Sequence, residues 1–146
     1  MYKALQGNLG LGKAIEYFTS QSIPLAIPLN DTQKYDLIAD FQGKLQRVSV
    51  KTSTSTKNGI SYEVQLRNTG GSSGVSKVRP FDNTTCDYVF IYTGDNKMYL
   101  IQAKDIDAIN SINVGNKWTN YIVKSKSLID FVEYRSLYTT SRGYRE

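Results

Sequence analysis

The 146-residue chain has no histidine, a single cysteine, three prolines and one tryptophan. Without histidine, Ser-His-Asp and Cys-His hydrolases, histidine-assisted metal nucleases and His-containing zinc sites are excluded, which leaves carboxylate, lysine or hydroxyl chemistry. Cys86 has no partner for an intrachain disulfide, and at the entrance of an apolar strand it reads as a buried, inert thiol. The sequence holds no run of about 18 apolar residues, the length a membrane-crossing helix needs. Met1-Tyr2-Lys3-Ala4 leads into polar, glycine-containing sequence rather than an apolar signal core, so the expectation is a cytosolic (cytoplasmic) protein with no membrane partner.

What is present is ordinary globular composition, 40% hydrophobic and 21% charged, enough for one domain spanning residues 1–146 around a real core. The formal net charge is +5, and basic residues thicken toward the end at Lys117, Lys124, Lys126, Arg135, Arg142 and Arg145, which favours polyanionic partners. Eleven tyrosines supply amphipathic rings that pack in a core while the hydroxyl reaches outward. The aromatic segment Trp118, Tyr121, Ile122, Ile129, Phe131, Val132, Tyr134 and Tyr138 reads as core or oligomer surface.

Leu9, Ala14, Ile15 and Phe18 recur at helical spacing after Gly7-Asn8, predicting an amphipathic helix that ends at Ser20-Gln21-Ser22. Ile23 to Ile27, bracketed by Pro24 and Pro28, reads as an irregular or edge strand because each proline removes a ladder donor. Tyr35 to Phe41 and Leu45 to Ser53 are strands joined by Gln42-Gly43-Lys44, and Ile60 to Arg67 follows the Lys57-Asn58-Gly59 turn, so an antiparallel meander is expected. Asn68 to Ser76 is a glycine- and serine-rich loop. Asp87 to Thr93 and Lys97 to Gln102 form an apolar hairpin, and 103–109 reads as a short helix. Helix followed by strands places the chain in the α+β class.

Asp36 and Lys51 carry the chemistry. A carboxylate holds a divalent cation against a phosphodiester, and an ammonium orients water and offsets charge in the transition state. By period-2 alternation Arg47, Ser49 and Lys51 share one strand face and Val48 and Val50 the other. Ser49 therefore points where a second metal ligand is wanted, and a neutral hydroxyl is a weak ligand for a hard dication.

The order Gly7-Asn8-Leu9-Gly10, Ile27-Pro28-Leu29-Asn30-Asp31, Lys34-Tyr35-Asp36-Leu37-Ile38-Ala39-Asp40, Arg47-Val48-Ser49-Val50-Lys51-Thr52 and Asp87-Tyr88-Val89-Phe90-Ile91-Tyr92 resembles the PD-(D/E)XK nucleases. More narrowly it is similar to a small bacterial branch that includes a group I intron-encoded homing endonuclease. The resemblance covers about two-thirds of the chain. It implies a restriction-endonuclease-like core with a central mixed β-sheet flanked by helices. It implies Mg2+ or another divalent cation held by Asp36 and the Val50 carbonyl, with Lys51 as the catalytic lysine, and hydrolysis of double-stranded DNA at a specific site. Two positions depart from the family pattern. Ser49 stands where the family has Asp, Glu or, in this branch, Gln, and Leu11 stands where a glutamate follows the second glycine. Glu16 lies about 140° around the helix from position 11 and cannot replace it. Metal binding and catalysis are expected to be weakened by Leu11 and Ser49, with DNA binding retained.

Lys57, Arg67, Asn68, Ser72, Ser73, Lys77 and Arg79 form the expected DNA-facing set, with side chains suited to phosphate and base-edge contacts. A long target read by one small domain implies a homo-oligomer, a tetramer in preference to a dimer. Two alternatives stay open: a junction resolvase with the same core, and a non-catalytic DNA-binding module.

Overall fold

The computed structural model describes residues 2–69 and 78–134. Helix α1 (Tyr2–Ser20) is followed by β1 (Leu25–Ala26), β2 (Leu37–Phe41) and β3 (Lys44–Ser53), then the short β4 (Thr56–Lys57), β5 (Ser61–Gln65), β6 (Asn68–Thr69) and β7 (Val78–Arg79). The hairpin β8 (Tyr88–Thr93) and β9 (Met98–Gln102), β10 (Ser111–Val114) and β11 (Ile122–Val123) complete the strands. Residues 128–134 are helical.

The central sheet has six strands in the order β1-β2-β3-β8-β9-β11. It is mixed, because β3 pairs with β8 in parallel, Val48 opposite Tyr88 through Ser53 opposite Thr93, while its other pairings are antiparallel. This is the α+β architecture with a central mixed sheet that the sequence leads one to expect. The β2–β3 turn is tight: Gln42 and Gly43 both take positive φ (55° and 94°) and Asp40 Oδ1 accepts the Gly43 N–H at 2.6 Å. Two successive left-handed residues match the twist of the flanking strands, which is why a Gln-Gly pair closes the hairpin here.

Helix α1 covers one face. Gly10, Ala14 and Phe18, at i, i+4 and i+8, are its buried residues, and with Leu37, Ala39, Val48 and Phe90 they form one core cluster. Gly10 lies so close to β3 that a β-carbon there would overlap the Thr52 methyl. The helix ends in a Schellman arrangement: Ile23 N–H donates to Phe18 C=O (2.9 Å), Ser22 N–H donates to Thr19 C=O (2.9 Å), and Ser22 occupies the left-handed region at φ 60°. Ile23 then packs against the cluster that contains Phe18, the hydrophobic contact that accompanies this cap.

The other face is covered by strands. A small sheet in the order β10-β5-β4 brings Val64, Leu66, Ile112 and Val114 against Val89, Ile91, Tyr99 and Ile101, with Trp118 and Cys86 in the same cluster. Each fully buried Val, Leu, Ile or Phe contributes about 1.5–3 kcal/mol, so the two clusters clamp the central sheet from both sides.

Three sequence expectations change. The segment 60–67 leaves the meander and joins the second sheet through Ser61–Gln65, because its apolar Val64 and Leu66 face the second core rather than extend the first. Gly7-Asn8 lies inside α1 instead of preceding it, since the helix begins at Tyr2. The helix expected over 103–109 shrinks to a single 3-10 turn, Ala103–Asp105, after which Ile106 is drawn into the core in extended conformation (φ −103°, ψ 111°). None of the helices among the described residues is long and apolar enough to cross a membrane.

Candidate functional site

The pairing of β2 with β3 ends at Asp36. Its N–H still donates to the Val48 carbonyl at 2.8 Å, but the chain then bends away over 31–36. At the next rung no backbone carbonyl is opposite Val50. The Asp36 carboxylate takes that place, accepting the Val50 N–H through Oδ2 at 2.7 Å. Along a strand the N–H and C=O of one residue point to the same edge, so the Val50 carbonyl also faces this opened edge. An exposed carboxylate and a main-chain oxygen are thus presented side by side where two strands separate.

Lys51 lies one residue further on and faces the opposite side of the sheet from the helix, as alternation requires. Val48 and Val50 pack with α1. Ser49 is buried at 4% exposure and Ser53 Oγ donates to the Glu63 carbonyl of β5. Lys51 Nζ donates to Asn68 Oδ1 at 3.0 Å. Among the described residues no carboxylate lies within ion-pair distance of it. Burial holds the Lys51 ammonium below the usual lysine range, and the attraction of Asp36 opposes that shift. Cys86, 2% exposed, sits nearby; burial pushes its thiol up to about 11, so it stays protonated at neutral pH.

Leu11 is half-buried and packs against the helix-side cluster. The fold therefore sets Leu11 and Ser49 on opposite faces of β3, with Asp36 at the opened edge. Of the expected DNA-facing residues, Lys57 is exposed on β4, Arg79 is exposed on β7, and Arg67 is exposed with Nη2 donating to Gln65 Oε1 at 3.1 Å. Asn68 is half-buried and turned to Lys51. Ser72, Ser73 and Lys77 lie outside the described residues, as do Tyr138, Arg135, Arg142 and Arg145.

A second charged group went unrecognised in the sequence. Arg47 Nε donates to Asp87 Oδ2 (3.2 Å), its Nη2 donates to Asp87 Oδ1 (3.3 Å) and to the Thr84 carbonyl (3.1 Å), and its backbone N–H donates to Asp87 Oδ2 (2.7 Å). The Arg47 hydrogen bond holds the Asp87 carboxyl below the usual carboxylate range. Arg47 and Asp87 meet only because β3 and β8 run parallel in this register. Strand alternation places Arg47 on the lysine face but names no partner.

The donor set limits what the site holds. Among the described residues no group of three or more His, Cys, Asp or Glu side chains converges on one point. Asp36 supplies one carboxylate and Val50 one carbonyl, Leu11 supplies nothing, and Ser49 supplies a buried hydroxyl on the lysine face. Mg2+ is commonly held by one or two carboxylates with water and substrate phosphate completing its shell. These donors fit such a substrate-completed site, at its weak end, and not a cage made by protein alone.

A family model described as PD-(D/E)XK endonuclease matches residues 1–128. The structure of a bacterial homing endonuclease, I-Ssp6803I, aligns with a TM-score of 0.66 at 20% sequence identity, covering 98% of this chain and 97% of that chain. At this identity the likeness concerns the fold. No curated protein sequence matches.

Proposed function

Because this chain belongs to the PD-(D/E)XK endonuclease family, we propose that it is a homing-type nuclease of double-stranded DNA, hydrolysing phosphodiesters with Mg2+ and weakened by Leu11 and Ser49. The observation that carries this reading is the opened edge between β2 and β3, where Asp36 is exposed, the Val50 carbonyl is turned outward and Lys51 follows. A pure binding module has no evident need for a half-buried lysine beside that carboxylate.

Asp36 and the Val50 carbonyl would hold the cation, which when bound supplies positive charge to the scissile phosphate. The remaining work falls to the chain. The Val50 N–H fixes one carboxylate oxygen of Asp36 and leaves the other free to face substrate. Lys51, with one of its three N–H bonds held by Asn68, has two left for an attacking water and a phosphate oxygen. Exposed Lys57, Arg67 and Arg79 offer phosphate contacts, with Ser72, Ser73 and Lys77 proposed on sequence grounds alone. A further groove lined by Lys44 and Lys104 adds cations beside the sheet. A homo-oligomer, tetramer before dimer, supplies the two active sites that cutting both strands requires.

Cleavage-site selection on a randomised duplex library with the Leu11→Glu/Ser49→Gln protein in Mg2+ tests this reading. The expected outcome is one long preferred site, cut far faster than by the unaltered chain. Mg2+ binding without duplex cleavage refutes it. Preference for four-way junctions irrespective of sequence would instead mark a resolvase, and altered affinity with no cutting would mark a binding module.

A further inference from the structure

Asn68 stands out because its half-buried side chain accepts a hydrogen bond from Lys51. The chain around it is well anchored: Leu66 is fully buried and its N–H donates to the Asn110 carbonyl at 2.9 Å, Arg67 is exposed, and Asn68 turns inward again. Its backbone pairs with Arg79 in the β6–β7 ladder. Facing an ammonium, which only donates, the amide must present its oxygen, because its NH2 would set donor against donor. The orientation with Oδ1 on Nζ at 3.0 Å is therefore dictated by charge.

We propose that Asn68 is a positioning residue for Lys51: its neutral amide oxygen holds the ammonium on the sheet face where Ser49 supplies no carboxylate, and so aims the lysine at the edge carrying Asp36. This rests on the nuclease reading for what the aimed lysine then does. Three observations support it. Ser49, on the same face as Lys51, is buried and carries only a hydroxyl. Glu63, on the strand packed against that face, directs Oε1 to the Ser111 hydroxyl, which donates to it at 3.2 Å. The titratable groups acting on Lys51 are Asp36, which is exposed at the edge, and Cys86, which is a neutral thiol at working pH. The amide is thus the acceptor that Lys51 finds among the described residues. Being neutral, it orients the ammonium without neutralising it, leaving the lysine charge available to a phosphate.

The test reads Lys51 directly. Its side-chain NMR signals, assigned by loss in Lys51→Arg, report the mobility of the ammonium group in the unaltered protein, Asn68→Ala and Asn68→Leu at one pH. The expected result is a restrained group in the unaltered protein that becomes mobile in both variants, where the acceptor is lost. Asn68→Leu keeps the size of the side chain, so it decides the matter even if Asn68→Ala fails to fold. In the Leu11→Glu/Ser49→Gln background, Asn68→Ala should lower kcat by on the order of 10²-fold with KM for DNA unchanged, the mark of a misplaced group. Equal Lys51 mobility in the folded proteins overturns the proposal. If that background cuts no DNA, the nuclease reading fails while the mobility measurement still decides whether Asn68 positions Lys51.

Discussion

Arg47 and Lys51 sit on the same face of the same strand, four residues apart, and have opposite surroundings. Arg47 is matched to a carboxylate: Asp87 receives three of its N–H groups counting the backbone, and Thr84 receives another. Lys51 is more deeply buried and has a neutral amide for a partner, while the carboxylate in reach of its field, Asp36, is tied to the Val50 backbone instead. A cation already paired with a carboxylate joins two strands and has less charge left to offer a substrate. A half-buried cation left short of counter-charge is costly to keep, and such groups concentrate where chemistry is done. Composition treats the two as equals; their partners separate them.

The largest effect should come from the lysine end. In the Leu11→Glu/Ser49→Gln protein, Lys51→Met should lower the single-turnover cleavage rate by about 10²–10³-fold, the usual effect of deleting one group that meets transition-state charge, while Arg47→Ala should leave that rate within a few fold. Equal losses from both would erase the distinction between them.

Next comes the strand that carries both. Gly10→Ala pushes a methyl into Thr52 on β3 and should cost about 1–3 kcal/mol in urea denaturation, as overpacking does. An unchanged midpoint would mean that α1 is not seated on the strand as described.

Arg47→Ala should cost less, about 1 kcal/mol at neutral pH, since both side chains are partly exposed and solvent screens the pair. The Asp87 carboxyl is depressed in the folded protein by Arg47. The stabilisation is therefore fully present above the unfolded carboxylate value of about 4 and is lost as pH falls through the lower folded value. Denaturation curves of the unaltered protein and Arg47→Ala should converge on acidification; a constant gap would assign the loss to packing alone.

The smallest effect has the opposite sign. Lys51→Met should raise stability slightly at neutral pH, because burial penalises the ammonium. The folded protein releases the proton at lower pH than the unfolded chain does, so between those two values the unaltered protein gains stability as pH rises. The advantage of Lys51→Met should accordingly shrink on the alkaline side. Thermal unfolding at neutral and alkaline pH measures both, and destabilisation by Lys51→Met at neutral pH would make Lys51 a structural residue like Arg47.

Much of this architecture was legible locally. The spacing that ends in Ala14 and Phe18 announces α1, Gln42-Gly43 announces the turn at positive φ, and alternation over 47–51 sorts Val48 and Val50 from Ser49 and Lys51. The second sheet was not legible, because Val64 and Leu66 read as well in a meander as in a separate layer, and only their packing against Val89 and Ile91 decides. Nor was the role of Asn68, which in a polar loop looks like any DNA-facing amide until the fold sets it against Lys51.

Residue chemistry and short-range period were thus sufficient to exclude histidine chemistry and to bring out a carboxylate and a lysine on adjoining strands. Those features depend on side-chain type and on torsions a few residues long. Partnership depends on pairing across longer distances. Asn68 lies 17 residues beyond Lys51 and Asp87 lies 40 beyond Arg47, and both contacts arise only once the parallel β3–β8 ladder and the second sheet have closed. Two cations with the same strand parity therefore diverge, one tied into an ion pair and one held by a neutral amide, because burial and cross-strand register, and not local pattern, assign each its acceptor.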